Sequence, residues 1–243
     1  MHNIQYLNFG DRAITIELGK TVSTDVNQKV RAMYLAILQQ DIPGIISVNP
    51  TYRSITVEYQ PHIIMHGDLI NKLKKLELEI EDMKLPQPNI LIVPTLYGSN
   101  YGPDMQNVMQ KNNLTEKEVI TLHTSEDYLV YMLGFTPGFA FLGGMDERLE
   151  TPRLATPRVK IKGGTVGIAG KQTGIYSIDS PGGWQLIGHT PIRMYDANRE
   201  NPILHKSGDY IRFRKINEYE YEQIKNKVDN GTYVYEINAK EVL

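Results

Sequence analysis

The 243-residue chain contains no cysteine, which excludes disulfides, thiolate nucleophiles, cysteine-ligated zinc and iron–sulfur clusters. Net charge is nearly absent as well: 26 basic and 28 acidic residues leave −2. Neither nucleic acid nor an anionic membrane is therefore an expected general partner, and any charged ligand must be met locally. Long apolar runs are missing. Residues 1–18 alternate polar and apolar side chains without the apolar run of a signal peptide, and no stretch approaches the roughly 18 residues of a membrane span, so a cytoplasmic protein is expected. There is no GxGxxG and no GxSxG, which removes dinucleotide-fold and nucleophile-elbow readings. The stretch from Gly164 to Lys171 superficially resembles a phosphate-binding P-loop, but Thr165 stands at its first glycine position and Gln172 follows the lysine where Ser or Thr is needed. No conventional ATP or NAD site is visible.

What is present is the composition of a globular protein, 41% hydrophobic and 22% charged. The length exceeds the usual single domain of about 100 to 200 residues, so two domains are expected. In the first, residues 13–18 and 54–59 alternate with period two and are rich in β-branched residues, as half-buried strands are. Residues 24–39 place Val26, Val30, Met33 and Ile37 on one helical stripe, ended by Asp41, Pro43 and Gly44, and residues 67–83 do the same with Leu69, Leu73, Leu76 and Ile80. The order strand, strand, helix, strand, strand, helix is compatible with a ferredoxin-like α/β sandwich. Pro86, Gln87, Pro88 and Asn89 break the chain, which puts the domain boundary at 1–86 and 87–243.

Beyond the boundary the pattern predicts a strand at residues 90–93, a helix from about Pro103, and a helix opened by Thr115 with Glu118 three residues on, a capping-box spacing. From Tyr128 to Arg214 only short β-like runs separated by glycine and proline turns remain, the texture of a closed or nearly closed β-barrel. A last helix is expected at 217–228 and a last strand at 233–237. Twelve of the 20 glycines fall within the 55 residues 134–188.

The same region carries the local charge. Residues 151–178 contain Arg153, Arg158, Lys160, Lys162 and Lys171, five glycines and no acidic residue. Guanidinium groups and closely approaching backbone N–H groups are what a small-anion pocket uses, although a solvated basic face is an equally simple reading. The segments 133–144 and 180–185 mix aromatic rings with glycine and proline and hold three of the five phenylalanines and the single tryptophan. Such rings either form the apolar wall of a pocket whose polar groups are Arg153, Arg158, Gln172 and Gln185, or plug the barrel ends. His123, at the end of the capped helix, is either a general acid or base or a helix-end packing residue. His62 and His66 have i, i+4 spacing with no third ligand evident beyond Asp68, so no metal site is expected.

At these loops the chain resembles a known family. The residues carrying the likeness are His123-Thr124, the run from Tyr131 to Phe139, Leu142-Gly143-Gly144, Pro152-Arg153, Pro157-Arg158, Val166-Gly167-Ile168-Ala169-Gly170, Gln172-Thr173-Gly174 and the run from Ser180 to Gly188. These strings are similar to the B subunit of bacterial 5-oxoprolinase, a family that includes the Kip-type sporulation-kinase inhibitors, allophanate hydrolase subunit 1 and part of the carboxyltransferase domain (subdomains C and D) of urea amidolyase. The resemblance implies an amino-terminal α+β domain and a cyclophilin-like β-barrel. It further implies a hydrolase component that acts with a homologous C subunit and a third, separate one to cleave 5-oxo-L-proline to L-glutamate, with ATP bound here, at a shared site, or by the partner. On that implication the candidate catalytic groups are His123, Arg153 and Arg158. The candidate substrate contacts are Phe135, Pro137, Gly138, Phe139, Gly164, Gln172, Gly183, Trp184 and Gln185. A kinase inhibitor that catalyses nothing is the alternative, and a urea- or allophanate-linked role would need a biotin carrier that this chain does not contain. Lys162-Gly163 and His189 depart from the residues more usual in the family.

Overall fold

A computed structural model describes residues 4–81, 83–134 and 136–240; Phe135 lies outside the described residues. The chain divides into two compact units, Met1–Pro86 and Gln87–Leu243.

In the first unit, strands β1 (Gln5–Asn8) and β2 (Ala13–Glu17) precede helix α1 (Thr24–Gln40), and β3 (Ile45–Pro50) and β4 (Ser54–Tyr59) precede α2 (His66–Glu77). All pairings are antiparallel in the order β1-β2-β4-β3. Strands β2 and β3 thus run the same way with β4 inserted between them. Alternation sends Ile14, Ile16, Ile55 and Val57 to one face, where they pack on Met33, Ile37, Leu69 and Leu73 from the helices. Ser23 caps α1 by accepting the Val26 N–H at 3.3 Å. Asp41 ends it in the left-handed region at φ 42°. Helix α2 stops earlier than its apolar spacing predicts, at Glu77 rather than Met83. The N–H groups of Leu78 and Glu79 turn back to Lys75 and Leu76 in a tighter, three-residue spacing, which still delivers Ile80 to the core but leaves Leu78 81% exposed.

The second unit begins with β5 (Asn89–Tyr97), then α3 (Met105–Asn112), α4 (Glu116–Thr124), β6 (Tyr128–Leu133) and β7 (Ala140–Gly143). Strands β8 (Arg158–Ile161), β9 (Thr165–Ala169), β10 (Gln172–Ile175), β11 (Ser180–Gly182) and β12 (Gln185–His189) follow, and β13 (Tyr210–Lys215), α5 (Glu218–Asp229) and β14 (Ile237–Ala239) complete it. The main sheet runs β10-β9-β12-β5-β13-β6-β7, with β14 also on β5. Its two edges approach one another: Gly174 of β10 faces the Ala140 carbonyl of β7. The result is a nearly closed β-barrel. Strand β5 is buried from Ile90 to Tyr97, because it pairs with β13 and β14 along its first half and with β12 at its end. Strands β8 and β11 form a separate two-stranded ribbon.

Thr115 and Glu118 form the expected capping box on α4, and Asn217 and Glu220 form a second on α5. Two expectations shift. The helix placed from Pro103 starts at Met105, and Asp104 makes no side-chain cap, because its carboxylate is engaged elsewhere. The last strand is Ile237–Ala239 rather than 233–237; Tyr233 and Tyr235 satisfy their alternation by packing on the barrel core instead of by ladder pairing.

Candidate functional site

The stretch with five cations and no carboxylate becomes strand β8, the turn after it and strands β9 and β10. Arg158, Lys160 and Lys162 line a cavity of about 410 Å³ together with Asn100, Tyr101 and Pro103 from the β5–α3 connection. His189 of β12 and Tyr221 of α5 also line it. The turn from Lys162 to Thr165 is braced. The Lys162 carbonyl accepts both the backbone N–H of Thr165 (3.2 Å) and its hydroxyl (2.7 Å). Gly164 sits at φ +90° with its N–H on the Tyr176 carbonyl at 2.6 Å, and a Cβ there would stand 2.6 Å from the Thr190 carbonyl oxygen. Only glycine fits that conformation without strain.

Electrostatically the three cations differ. Arg158 Nη2 donates to Asp104 Oδ1 at 2.7 Å, and Asp104 Oδ2 accepts the Leu186 N–H at 2.8 Å. A carboxylate 54 residues earlier thus neutralises the arginine expected to clamp an anion. Lys160 Nζ lies 2.9 Å from Asp179 in an exposed pair, whose energetic value is small. Lys162 makes no direct ion pair among the described residues, but Asp179, which accepts the Gly163 N–H at 2.9 Å, lies near enough to feel its charge. His189 Nε2 lies 3.0 Å from the Gly163 carbonyl, which can only accept, so Nε2 carries the proton and Nδ1 accepts from the Tyr221 hydroxyl at 2.9 Å. Burial, with Lys162 and Lys225 adding to it, holds the His189 pKa down at about 4, so the ring is neutral near pH 7. Burial also raises Tyr221, to about 12.

The remaining candidates are dispersed. His123 is fully buried on α4, packed against Tyr128 and Phe213. Its Nδ1 meets the Tyr97 hydroxyl at 2.7 Å and its Nε2 the Thr173 hydroxyl at 2.6 Å, while Thr173 donates to the Gly167 carbonyl at 3.1 Å. The chain of bonds therefore runs Tyr97 to His123 to Thr173 to Gly167, with the ring neutral and Nε2 protonated. Burial lowers its pKa to about 3. Of the two readings of His123, the geometry gives the packing one: the imidazole ties α4 to β5, β9 and β10, and no lining side chain of the basic cavity touches it.

Gln185 is buried, its amide donating to the Pro152 carbonyl at 2.9 Å and accepting from Asn107 at 3.1 Å. Trp184 and Phe139 do not line the cavity; they meet edge to face at 5.9 Å and pack with Tyr176 and Ile161 in a small satellite core. Of the two readings of these rings, pocket wall or barrel plug, their packing here is that of a plug, with the ring surface taken up by neighbouring side chains. Gly138 is buried at φ +74° against Tyr195, beside the exposed Pro137. Gly183 is buried and its carbonyl accepts the Leu154 N–H at 2.7 Å, while Gln172 is half-buried on β10. Arg153 is exposed, close enough to Tyr176 for its charge to act on that hydroxyl. Asp104, Asn100, Tyr101 and Tyr221 were not singled out by the sequence. Nothing local to these residues marks them, since what brings Asn100, Tyr101 and Asp104 of the β5–α3 connection and Tyr221 of α5 to β8 is the folding of the chain.

The carboxyltransferase domain model, subdomains C and D, matches residues 4–205. A Bacillus subtilis protein named as the B subunit of 5-oxoprolinase is 37% identical over 233 residues, covering 92% of this chain and 97% of the relative. The chain belongs to the 5-oxoprolinase B-subunit family. An Escherichia coli O157:H7 relative of the same name is 41% identical over 204 residues, covering 84% of this chain and 92% of its own. Among solved structures, an uncharacterised Pyrococcus horikoshii protein superposes with TM-score 0.54 at 39% identity, covering 89% of this chain and 100% of its own. Kluyveromyces lactis urea carboxylase superposes with TM-score 0.77 at 21% identity, a likeness of fold. That superposition takes in 98% of this 5-oxoprolinase-family chain but 24% of the larger enzyme. The chain also spans 40% of another structural relative that is 34% identical, with TM-score 0.76. The fold thus recurs as one segment of longer polypeptides.

Proposed function

We propose that this chain works as the B subunit of a 5-oxoprolinase, contributing to the cleavage of 5-oxo-L-proline to L-glutamate at the expense of ATP in concert with a homologous C subunit and a third, separate one. The observation that carries the reading is the near end-to-end match to proteins of that name, 92% of this chain against 97% of the relative. The finer fold assignment belongs with it: the first unit as a ferredoxin-like sandwich in a circularly permuted strand order, which fits the β1-β2-β4-β3 sheet, and the second as a cyclophilin-like barrel.

In this reading the chain is not autonomous. Its one histidine with a proton-transfer role to consider, His123, is sealed in the core with both ring nitrogens bonded. The glycine-rich stretch at Gly164 does not fit a nucleotide phosphate: it forms β9 and its turns, with the Gly164 and Gly170 N–H groups committed to the carbonyls of Tyr176 and Thr151. ATP is accordingly assigned to a partner or to a shared site, and this chain's part is to present the cationic cavity at Lys162 to an anionic reactant. Mixing the purified chain with its two partners, 5-oxo-L-proline and ATP is expected to release L-glutamate, with no release from the chain alone. Full turnover when this chain is omitted would overturn the proposal.

A further inference from the structure

The cavity beside β8 has three properties that a merely basic surface lacks. Its cations are unequally compensated. Arg158 pairs with Asp104 and Lys160 with Asp179, which also feels the charge of Lys162, so three cations meet two carboxylates and one unit of charge is unmatched, with Lys162 the cation that has no direct ion pair. The base of that lysine is held in place, since its carbonyl takes two bonds from Thr165 and the following Gly163 carbonyl is pinned by His189. The remaining lining is mixed: Tyr101, Pro103 and Leu186 supply apolar surface, and the exposed Asn100 supplies an amide that no other described residue engages. His189 adds no charge there, because both its nitrogens are spoken for and its ring is neutral.

We infer that this cavity is a binding site for one small carboxylate or phosphate anion, with Lys162 as its direct contact and the Asp104–Arg158 pair as the positioning element behind it. A carboxylate matches the single unmatched charge and a phosphate monoester, carrying about −1.5 to −2 near neutral pH, exceeds it, while the volume of about 410 Å³ leaves room for a compact ring beside the anion. Attraction between a lysine and an anion in a half-closed cavity is charge-assisted and weakens with salt. The inference rests on the 5-oxoprolinase reading only for its choice of 5-oxo-L-proline as a probe.

The test uses the purified full chain and calorimetric or NMR titration with 5-oxo-L-proline, its uncharged amide and inorganic phosphate, at low and high salt. Saturable binding of 5-oxo-L-proline or of phosphate is expected, weakened about tenfold or more by Lys162→Met, restored by Lys162→Arg, and absent for the uncharged amide. Whichever anion binds names the source. Lys160→Met, in an exposed pair, is expected to change affinity far less. Thermal melting shows whether Lys162→Met is folded; the residue is exposed, so little change is expected. Unaltered binding in Lys162→Met, or no binding of either anion to the wild-type chain, overturns the site. Turnover of the reconstituted mixture is measured in parallel. An active mixture with a failed titration removes the site and leaves the 5-oxoprolinase reading, whereas a successful titration with an inactive mixture does the reverse.

Discussion

Arg158 shows how one residue changes meaning between sequence and structure. In the chain it stands among five cations with no carboxylate between residues 151 and 178, and an anion clamp is the natural reading. In space it meets Asp104, whose side chain is 7% exposed against 30% for the arginine. Removing the arginine leaves a nearly buried carboxylate with a backbone N–H and no counter-charge. Arg158→Ala is therefore expected to destabilise the fold by about 2 kcal/mol, below the range for fully sealed pairs because the arginine is partly solvated. Adding Asp104→Asn should return much of that loss, as read by urea denaturation. A stable Arg158→Ala protein with impaired anion binding would instead restore the clamp.

Elements were legible where their signals are local. The capping box at Thr115 and Glu118, the stripe of Val30, Met33 and Ile37, and the Asn217 start of α5 are set by contacts within one turn, and all three are present. Thr115→Ala should cost about 1 kcal/mol, since it frees the Glu118 N–H and removes the hydroxyl's own bond to the Glu118 carboxylate; a shift in the urea midpoint without a change in slope checks it. The misplaced boundaries have longer-range causes. Asp104 cannot cap α3 because Leu186 and Arg158 hold its carboxylate. The tyrosines at 233 and 235 alternate like a strand, yet it is the next residues, Ile237–Ala239, that find an open edge of β5. The ribbon β8–β11 exposes Val159 at 91% while burying Ile161 at 2%, a contrast that alternation alone does not reveal.

At the scale of the whole molecule, three histidines are folded in as neutral groups. His123 titrates near pH 3, and His189 and His205 near 4, burial being the largest cause in each; neither ring nitrogen of the buried His205 has a partner. An unfolded histidine titrates near 6.5. Between those values the unfolded chain binds protons that the folded chain refuses, so stability is full above about pH 6.5 and falls as pH drops toward 4. The loss by pH 5 should be on the order of 2 kcal/mol for each histidine. Denaturation midpoints at pH 7 and pH 5 measure it, and His123→Gln should flatten the dependence. A midpoint independent of pH over this range would mean that these rings are charged or exposed in the folded state.

The sequence by itself determined the element types, the mixed α/β character and the family, because periodicity, caps and long glycine-containing strings are carried by adjacent residues. It also located the positive charge correctly along the chain. Only the tertiary structure decided which of those charges are compensated. Asp104 reaches Arg158 across 54 positions, His189 and Tyr221 come from β12 and α5, and the aromatic rings turn inward on Ile161. Charge pairing acts through space over a few ångströms, and no spacing along the chain encodes which carboxylate will arrive beside which cation.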